Sequence, residues 1–101
     1  MDYFISPVAD EDIRKEKKKA RDLRKTQWWN QKCSGGKCYY CSEETPPGEL
    51  TMDHIVPLVR GGKSAKNNIV PACKNCNNKK RHSLPLEWEE HVKRLKNKKI
   101  D

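Results

Sequence analysis

CYYCSEETPPGELTMDHIVPLVRGGKSAKNNIVPACKNCNNKK, residues 38–80, is the stretch of sequence that decides the fold. Two runs within it, TMDHIVPL and NNIVPA, are rich in β-branched and apolar residues and predict short strands. The turn-forming pair Gly61-Gly62 lies between them. A polar segment, KNCNNKKR, follows the second strand and predicts a helix. The stretch therefore predicts an antiparallel strand pair followed directly by a helix.

Four of the five cysteines form two C-x-x-C pairs at the ends of this stretch, Cys38 with Cys41 and Cys73 with Cys76. Two such pairs can offer four thiolates to one tetrahedral zinc ion. Two disulfides or a redox-active pair are alternatives, but neither accounts for both pairs together with a small core. A closed four-cysteine site has no open position, so this zinc is expected to stabilise the fold without taking part in chemistry. Cys33 is expected to remain a free thiol.

The composition indicates a small basic domain. Only 34% of the 101 residues are hydrophobic, whereas 36% are charged, and 22 basic against 14 acidic side chains give a net charge of +8. A core that thin usually needs a metal or disulfides to hold it together. The positive charge favours a polyanionic partner, nucleic acid first and an acidic membrane surface second, although a solvated basic surface is the plainer alternative.

The sequence gives no sign of export or of membrane insertion. No apolar run approaches the roughly 20 residues of a membrane span, and the N-terminus turns polar at once, unlike a secretory signal. We therefore expect an intracellular, cytoplasmic protein without a membrane partner. In a reducing compartment, closely spaced cysteines bind metal more often than they form disulfides.

The regions that flank the cysteine pairs predict helices. We expect one domain over residues 1–101, with a motif core at 38–82, a basic N-terminal helix at about 10–31 and a C-terminal helix at about 85–97. The expected fold class is small α+β, a two-stranded antiparallel hairpin plus helix with a four-cysteine zinc site and flanking helices. The N-terminal helix is expected to lie on the domain, with its positive face against a nucleic-acid backbone or in solvent.

Apolar residues in both flanking helices, tryptophans among them, are expected to build the core. Trp88, Val92 and Leu95 recur at i, i+4 and i+7 and form one apolar face. At least one of the pair Trp28-Trp29 is expected to be buried as well. Stacking of this pair on nucleic-acid bases is the alternative.

An Asp-His pair and two asparagines carry the candidate chemistry. Asp53 and His54 stand within the first predicted strand, where burying them is costly unless each has a partner. Asn68 begins the second predicted strand and Asn77 follows Cys76. Carboxylate and amide oxygens are hard ligands suited to Mg²⁺ or Mn²⁺, and a neutral histidine can take a proton from water. A buried structural ion pair is the plain alternative.

These motifs resemble the HNH endonuclease family, the ββα-metal nucleases. The resemblance rests on a C-x-x-C, then DHIVP, a Gly-rich turn, NIV and a second C-x-x-C followed by N-x-x-K, and it spans residues 38–80. It implies that Asp53 and Asn77 bind the catalytic metal ion and that His54 is the general base. It further implies that Asn68 holds this histidine in position and that the four paired cysteines bind structural zinc.

Substrate contacts are expected from two basic residues. Lys80 matches a basic position of the family near the substrate phosphate, and Arg60 is placed beside the flexible Gly61-Gly62 turn. For the paired asparagines, a slip by one residue to Asn67 or Asn78 remains open. His82 is an alternative metal ligand, although it lies more than a helical turn beyond Asn77.

The resemblance implies a metal-dependent DNA endonuclease that leaves a 3′-hydroxyl and a 5′-phosphate. As a monomer or weak dimer with one active site, it is expected to nick single strands. A zinc-stabilised module that binds nucleic acid without cutting it is the rival hypothesis. A subunit that is inactive outside a larger nuclease complex is another. Replacement of His54 separates the enzyme from the binding module.

Overall fold

The computed structural model describes the backbone of residues 8–100 and the side chains of residues 8–94. It contains four helices and one two-stranded sheet, in the order α1 (Asp10–Arg24), α2 (Gln27–Ser34), β1 (Thr51–His54), β2 (Ile69–Ala72), α3 (Lys74–Lys80) and α4 (Pro85–Ile100). Short 3₁₀ turns occupy Pro47–Glu49, Leu58–Arg60 and Lys66–Asn68. No helix in the described part of the chain has the length and apolar character needed to cross a membrane.

The two strands form the predicted antiparallel hairpin. Asp53 pairs with Val70 and His54 pairs with Ile69. Only Cys73 separates β2 from α3, and its side chain caps that helix by accepting the amide N–H of Cys76. The strand–strand–helix prediction is therefore confirmed, and the fold is of the ββα-metal kind. Both strands are shorter than predicted because the segments around them form 3₁₀ turns.

The single N-terminal helix predicted at about 10–31 is wrong in one respect, because the chain forms two helices there. Thr26 adopts an extended conformation between α1 and α2, and its hydroxyl oxygen accepts the N–H of Trp29 at 3.4 Å. This side chain satisfies one of the free donors at the start of α2, so a second helix begins instead of the first continuing. Helix α1 can therefore lie against the turn at Leu58–Arg60 while α2 packs against β2.

The core consists of two clusters that lie on either side of the hairpin. The first contains Trp29, Cys33, Leu50 and Ile69, and the second contains Cys38, Ala72, Cys76 and Trp88. Burial of Trp29 and Trp88 confirms the aromatic core prediction, and Val92 packs against the second cluster. The Leu95 side chain lies outside the described residues. Trp28 packs against the first cluster with the amines of Lys32 and Lys66 over its ring.

Candidate active site

The four paired cysteines converge at one end of the hairpin. Their Sγ atoms all lie within 4.8 Å of one another, and the Cys41 and Cys73 sulfurs are 3.9 Å apart. A tetrahedral ion with metal–sulfur bonds of about 2.3 Å would place its ligands about 3.8 Å apart. The cluster can therefore hold a metal ion such as zinc. The first cysteine pair is tied to β2 by a hydrogen bond of 2.9 Å from the Tyr39 N–H to the Pro71 carbonyl.

Cys33 lies apart from this cluster, as predicted. It is buried among Trp29, Leu50 and Ile69 in the first core cluster. Burial raises the pKa of its thiol, so the group stays protonated and behaves as a small apolar side chain.

A cavity of about 390 Å³ lies where β1, α1 and the end of α3 meet. The titratable, basic and amide side chains that line it are Lys17, Asp53, His54, Asn77, Arg81 and His82. Apolar residues of α1, of β1 and of the loop after β1 complete its wall. Three residues of the predicted site, Asp53, His54 and Asn77, are therefore brought together. Three others, Arg60, Asn68 and Lys80, do not line the cavity.

Asp53 is buried and bound through one oxygen. Its Oδ2 accepts a hydrogen bond of 2.5 Å from the Tyr40 hydroxyl and an ion pair of 3.2 Å from the Lys80 amine. Burial and the adjacent carboxylate raise the pKa of Tyr40, which keeps its hydroxyl protonated as a donor. Among the residues that the structure describes, Oδ1 has no hydrogen-bond partner. One carboxylate oxygen thus anchors Asp53 and the other is left for a ligand.

Lys80, which was predicted to lie near the substrate phosphate, is buried in this structure. Its side chain is 0% exposed, and its amine also donates to the His54 carbonyl at 2.9 Å. The ammonium lies 5.8 Å from the centre of the Tyr40 ring. Lys80 is therefore an internal counter-ion that neutralises the Asp53 carboxylate and joins α3 to β1.

Lys80→Met should consequently lower stability, whereas Lys79→Met should not, because Lys79 is exposed on the same helix. Removing one member of a buried ion pair leaves the other without compensation and costs about 3–5 kcal/mol. Chemical denaturation followed by circular dichroism measures this difference. Equal stability of the two variants, combined with weaker DNA binding only in Lys80→Met, would restore the substrate-contact assignment.

The orientation of the Asn77 amide follows from its partner. Its Nδ2 lies 2.8 Å from the Thr51 hydroxyl, which in turn donates to the Ala72 carbonyl at 2.8 Å. A hydroxyl has one hydrogen to donate, so the Thr51 oxygen must accept from Asn77. The Asn77 Oδ1 is therefore the atom left for a ligand. Asn78 is exposed and does not line the cavity.

His54 ends β1 and is half-buried. Its Nε2 lies 2.9 Å from the Ser64 hydroxyl. Burial lowers the pKa of the imidazole, and the nearby Asp53 carboxylate opposes this shift only in part. A lowered pKa favours the neutral ring, the form that can accept a proton.

Asn68 contacts a loop backbone rather than the histidine ring that it was expected to orient. Its Oδ1 accepts the Val56 N–H at 2.9 Å, and its Nδ2 donates to the carbonyls of Val56 and Lys63 at 3.1 and 2.8 Å. The amide closes the loop that follows His54. Gly62 permits this closure, because a Cβ at that position would lie 1.8 Å from the Val56 carbonyl oxygen. Asn67 is exposed.

Arg60 lies outside the cavity lining, next to the segment that follows α3. Its guanidinium donates to the His82 carbonyl at 3.1 Å and lies 3.7 Å from the Glu87 carboxylate. His82 itself lines the cavity with an exposed side chain. Both residues therefore belong to the surface around the site.

Sequence reasoning missed five polar or charged residues that contact the site or line its cavity: Glu16, Lys17, Tyr40, Ser64 and Arg81. Tyr40 occupies a variable position inside the first C-x-x-C and has no motif of its own. Glu16 and Lys17 lie on α1, more than thirty residues before the strand that they approach. Position in the sequence gave no signal for any of these contacts.

A two-stranded hairpin followed by a helix, with clustered cysteines at one end and an Asp-His pair on the first strand, defines a protein of the ββα-metal nuclease class. Residues 38–93, more than half of the chain, match the family model described as HNH endonuclease. The chain therefore belongs to the HNH endonuclease family, which implies a nucleic-acid substrate. A search among curated proteins gives no match to this chain.

Proposed function

We propose that this protein is a metal-dependent DNA endonuclease that hydrolyses phosphodiester bonds. One observation carries the proposal: His54, Asp53 and Asn77 line a single cavity. Family membership supports the same reaction class. We further propose that residues 1–101 act as one nuclease domain and that the four-cysteine cluster holds structural zinc.

The catalytic ion would be Mg²⁺ or Mn²⁺, held by Asp53 and Asn77. The fit rests on the oxygens left over after internal hydrogen bonding, one on each residue, because both are hard donors. When bound, a divalent ion supplies positive charge that stabilises the phosphate and the leaving oxygen. With only two protein ligands, the site leaves room for substrate oxygens and water.

The neutral His54 ring takes a proton from the attacking water. Lys17 and Arg81, which lie at the cavity and are both exposed, provide positive charge for the phosphates next to the scissile bond. Arg81 has a φ of 49° and a ψ of −116°, a backbone conformation that only glycine adopts readily. Such strain often accompanies functional positions. Arg60, whose side chain is 40% exposed, provides a more distant contact to the same strand.

The reaction is expected to nick DNA. One cavity in a monomer cuts one strand in each encounter, and the resemblance implies products with a 3′-hydroxyl and a 5′-phosphate. The net charge of +8 supports binding that depends on salt rather than on base sequence, since phosphate contacts release counter-ions.

Incubation of the purified, zinc-loaded chain with supercoiled plasmid tests the proposal. Nicked circles should accumulate before linear DNA when Mg²⁺ or Mn²⁺ is present. The control omits both ions rather than adding excess chelator, because a chelator would also strip the zinc. A folded, zinc-containing chain that binds the plasmid but leaves it intact with either ion would refute the proposal.

A further inference from the structure

Ser64 is a buried residue that contacts the His54 ring, and the sequence predicted no role for it. It is 8% exposed and lies in the loop between the two strands. Its hydroxyl is 2.9 Å from the His54 Nε2 and 2.6 Å from the main-chain carbonyl of Glu16. This hydroxyl therefore joins the histidine to helix α1.

The two contacts of the hydroxyl determine which ring nitrogen carries the hydrogen. A carbonyl oxygen can only accept, so at 2.6 Å the single hydroxyl hydrogen of Ser64 must point to Glu16. The Ser64 oxygen can then only accept from the ring. It follows that His54 Nε2 carries a hydrogen and donates it. In the neutral ring, Nδ1 is the nitrogen left without a hydrogen.

Glu16 holds Ser64 through two hydrogen bonds, one to its main-chain carbonyl and one to its side chain. Besides its main-chain carbonyl, its Oε1 accepts the Ser64 N–H at 2.6 Å. The Glu16 side chain is itself buried, with Lys19 at 3.2 Å as its partner on the same helix. The hydrogen bond from Ser64 lowers the pKa of Glu16 and so favours its ionised form. Glu16 belongs to α1, which lies wholly outside the residues matched by the family model.

We propose that Ser64, held by Glu16 of helix α1, is a positioning residue that fixes the His54 ring in its Nε2–H form and reserves Nδ1 for the proton of the attacking water. The inference rests on the proposed function, in which His54 is the base. It assigns to α1 a role in the active site in addition to its basic surface. A hydroxyl acting through the ring should affect the chemical step more than substrate binding.

The ¹⁵N spectrum of the histidine side chains tests the assignment without any need for activity. In the intact chain at a pH where the ring is neutral, His54 should show a protonated Nε2 and an unprotonated Nδ1, with signals assigned by comparison with His54→Ala. The Nε2 hydrogen should be protected from exchange by its bond to Ser64. In Ser64→Ala this protection should disappear and the spectrum should shift towards a mixture of the two neutral forms.

Kinetics on the same variants provide the second measurement. Ser64→Ala should lower kcat by about 10- to 100-fold with little change in KM, a smaller loss than the roughly 100- to 10,000-fold expected for removing a general base. Ser64→Thr retains the hydroxyl and should restore both the spectrum and most of kcat. Ser34→Ala removes an exposed serine at the end of α2 and should change neither.

Two results would overturn the inference. One is a protonated Nδ1 in the intact chain. The other is a Ser64→Ala variant whose His54 signals and kcat match those of the intact chain. If the intact chain shows the expected ring form but does not cut DNA, the proposed function fails while the contact with Ser64 stands. If Ser64→Ala unfolds, Ser64→Thr and the spectrum of the intact chain still decide.

Discussion

Replacing His54 with alanine should abolish plasmid nicking while leaving DNA affinity close to that of the intact chain. His54 is the last residue of β1 and lines the cavity together with Asp53. The lowered pKa of its ring favours the neutral form. Loss of a general base costs roughly 100- to 10,000-fold in rate. The charges proposed to bind phosphate lie on other residues, so affinity should be unaffected. Single-turnover nicking and fluorescence anisotropy without divalent ions measure the two quantities separately.

His91→Ala is the matched control. This histidine lies on α4, stacked on Trp88 with 5.1 Å between ring centroids, and does not line the cavity. It should therefore retain nicking. Full activity in His54→Ala would disprove the assigned base. If the intact chain and His54→Ala bind DNA with equal affinity and neither of them nicks it, the result would favour a zinc-stabilised binding module.

The parts of the fold that sequence could predict depend on local patterns. The spacing of the paired cysteines and the β-branched runs between them predicted the hairpin, the helix after it and the position of the four-cysteine cluster. Burial of Trp88 and of one member of the pair Trp28-Trp29 was predictable because large aromatic side chains bury the most area in a chain with few apolar residues, but the sequence did not show that Trp29 is the buried one. The break at Thr26 also had a local signal, a good capping residue before an aromatic pair.

The contacts around Asp53 and His54 could not be predicted, because they join residues that are far apart in the sequence. Ser64 and Glu16 are separated by 48 positions. Lys80 looked like a surface cation in a lysine-rich segment, yet the turn of α3 directs it inward against Asp53. A family pattern gives the residue type at each position. It does not show whether a lysine there is exposed and can bind phosphate, or is buried against a carboxylate as Lys80 is.

Replacing Cys76 with serine should prevent the chain from folding stably. Cys76 is buried in the second core cluster beside Trp88, and it immediately precedes Asn77 on α3. Loss of one thiolate should release the zinc, whose binding contributes about 10–16 kcal/mol in small zinc domains. That is as large as the whole free energy of unfolding of a typical protein, roughly 5–15 kcal/mol. Thermal melting by circular dichroism should therefore lose its cooperative transition, and nicking should disappear.

Cys33→Ala separates this effect from the loss of a buried sulfur in general. Cys33 is equally buried but lies in the first core cluster, away from the four converging thiols. Its variant should keep a stoichiometric zinc ion, a cooperative melt and nicking activity, with only a modest drop in melting temperature. Metal analysis by atomic emission after gel filtration distinguishes the two variants. Zinc content and melting of Cys76→Ser equal to those of the intact chain would show that the cluster does not hold the fold. Zinc loss in Cys33→Ala would place a fifth sulfur in the metal site.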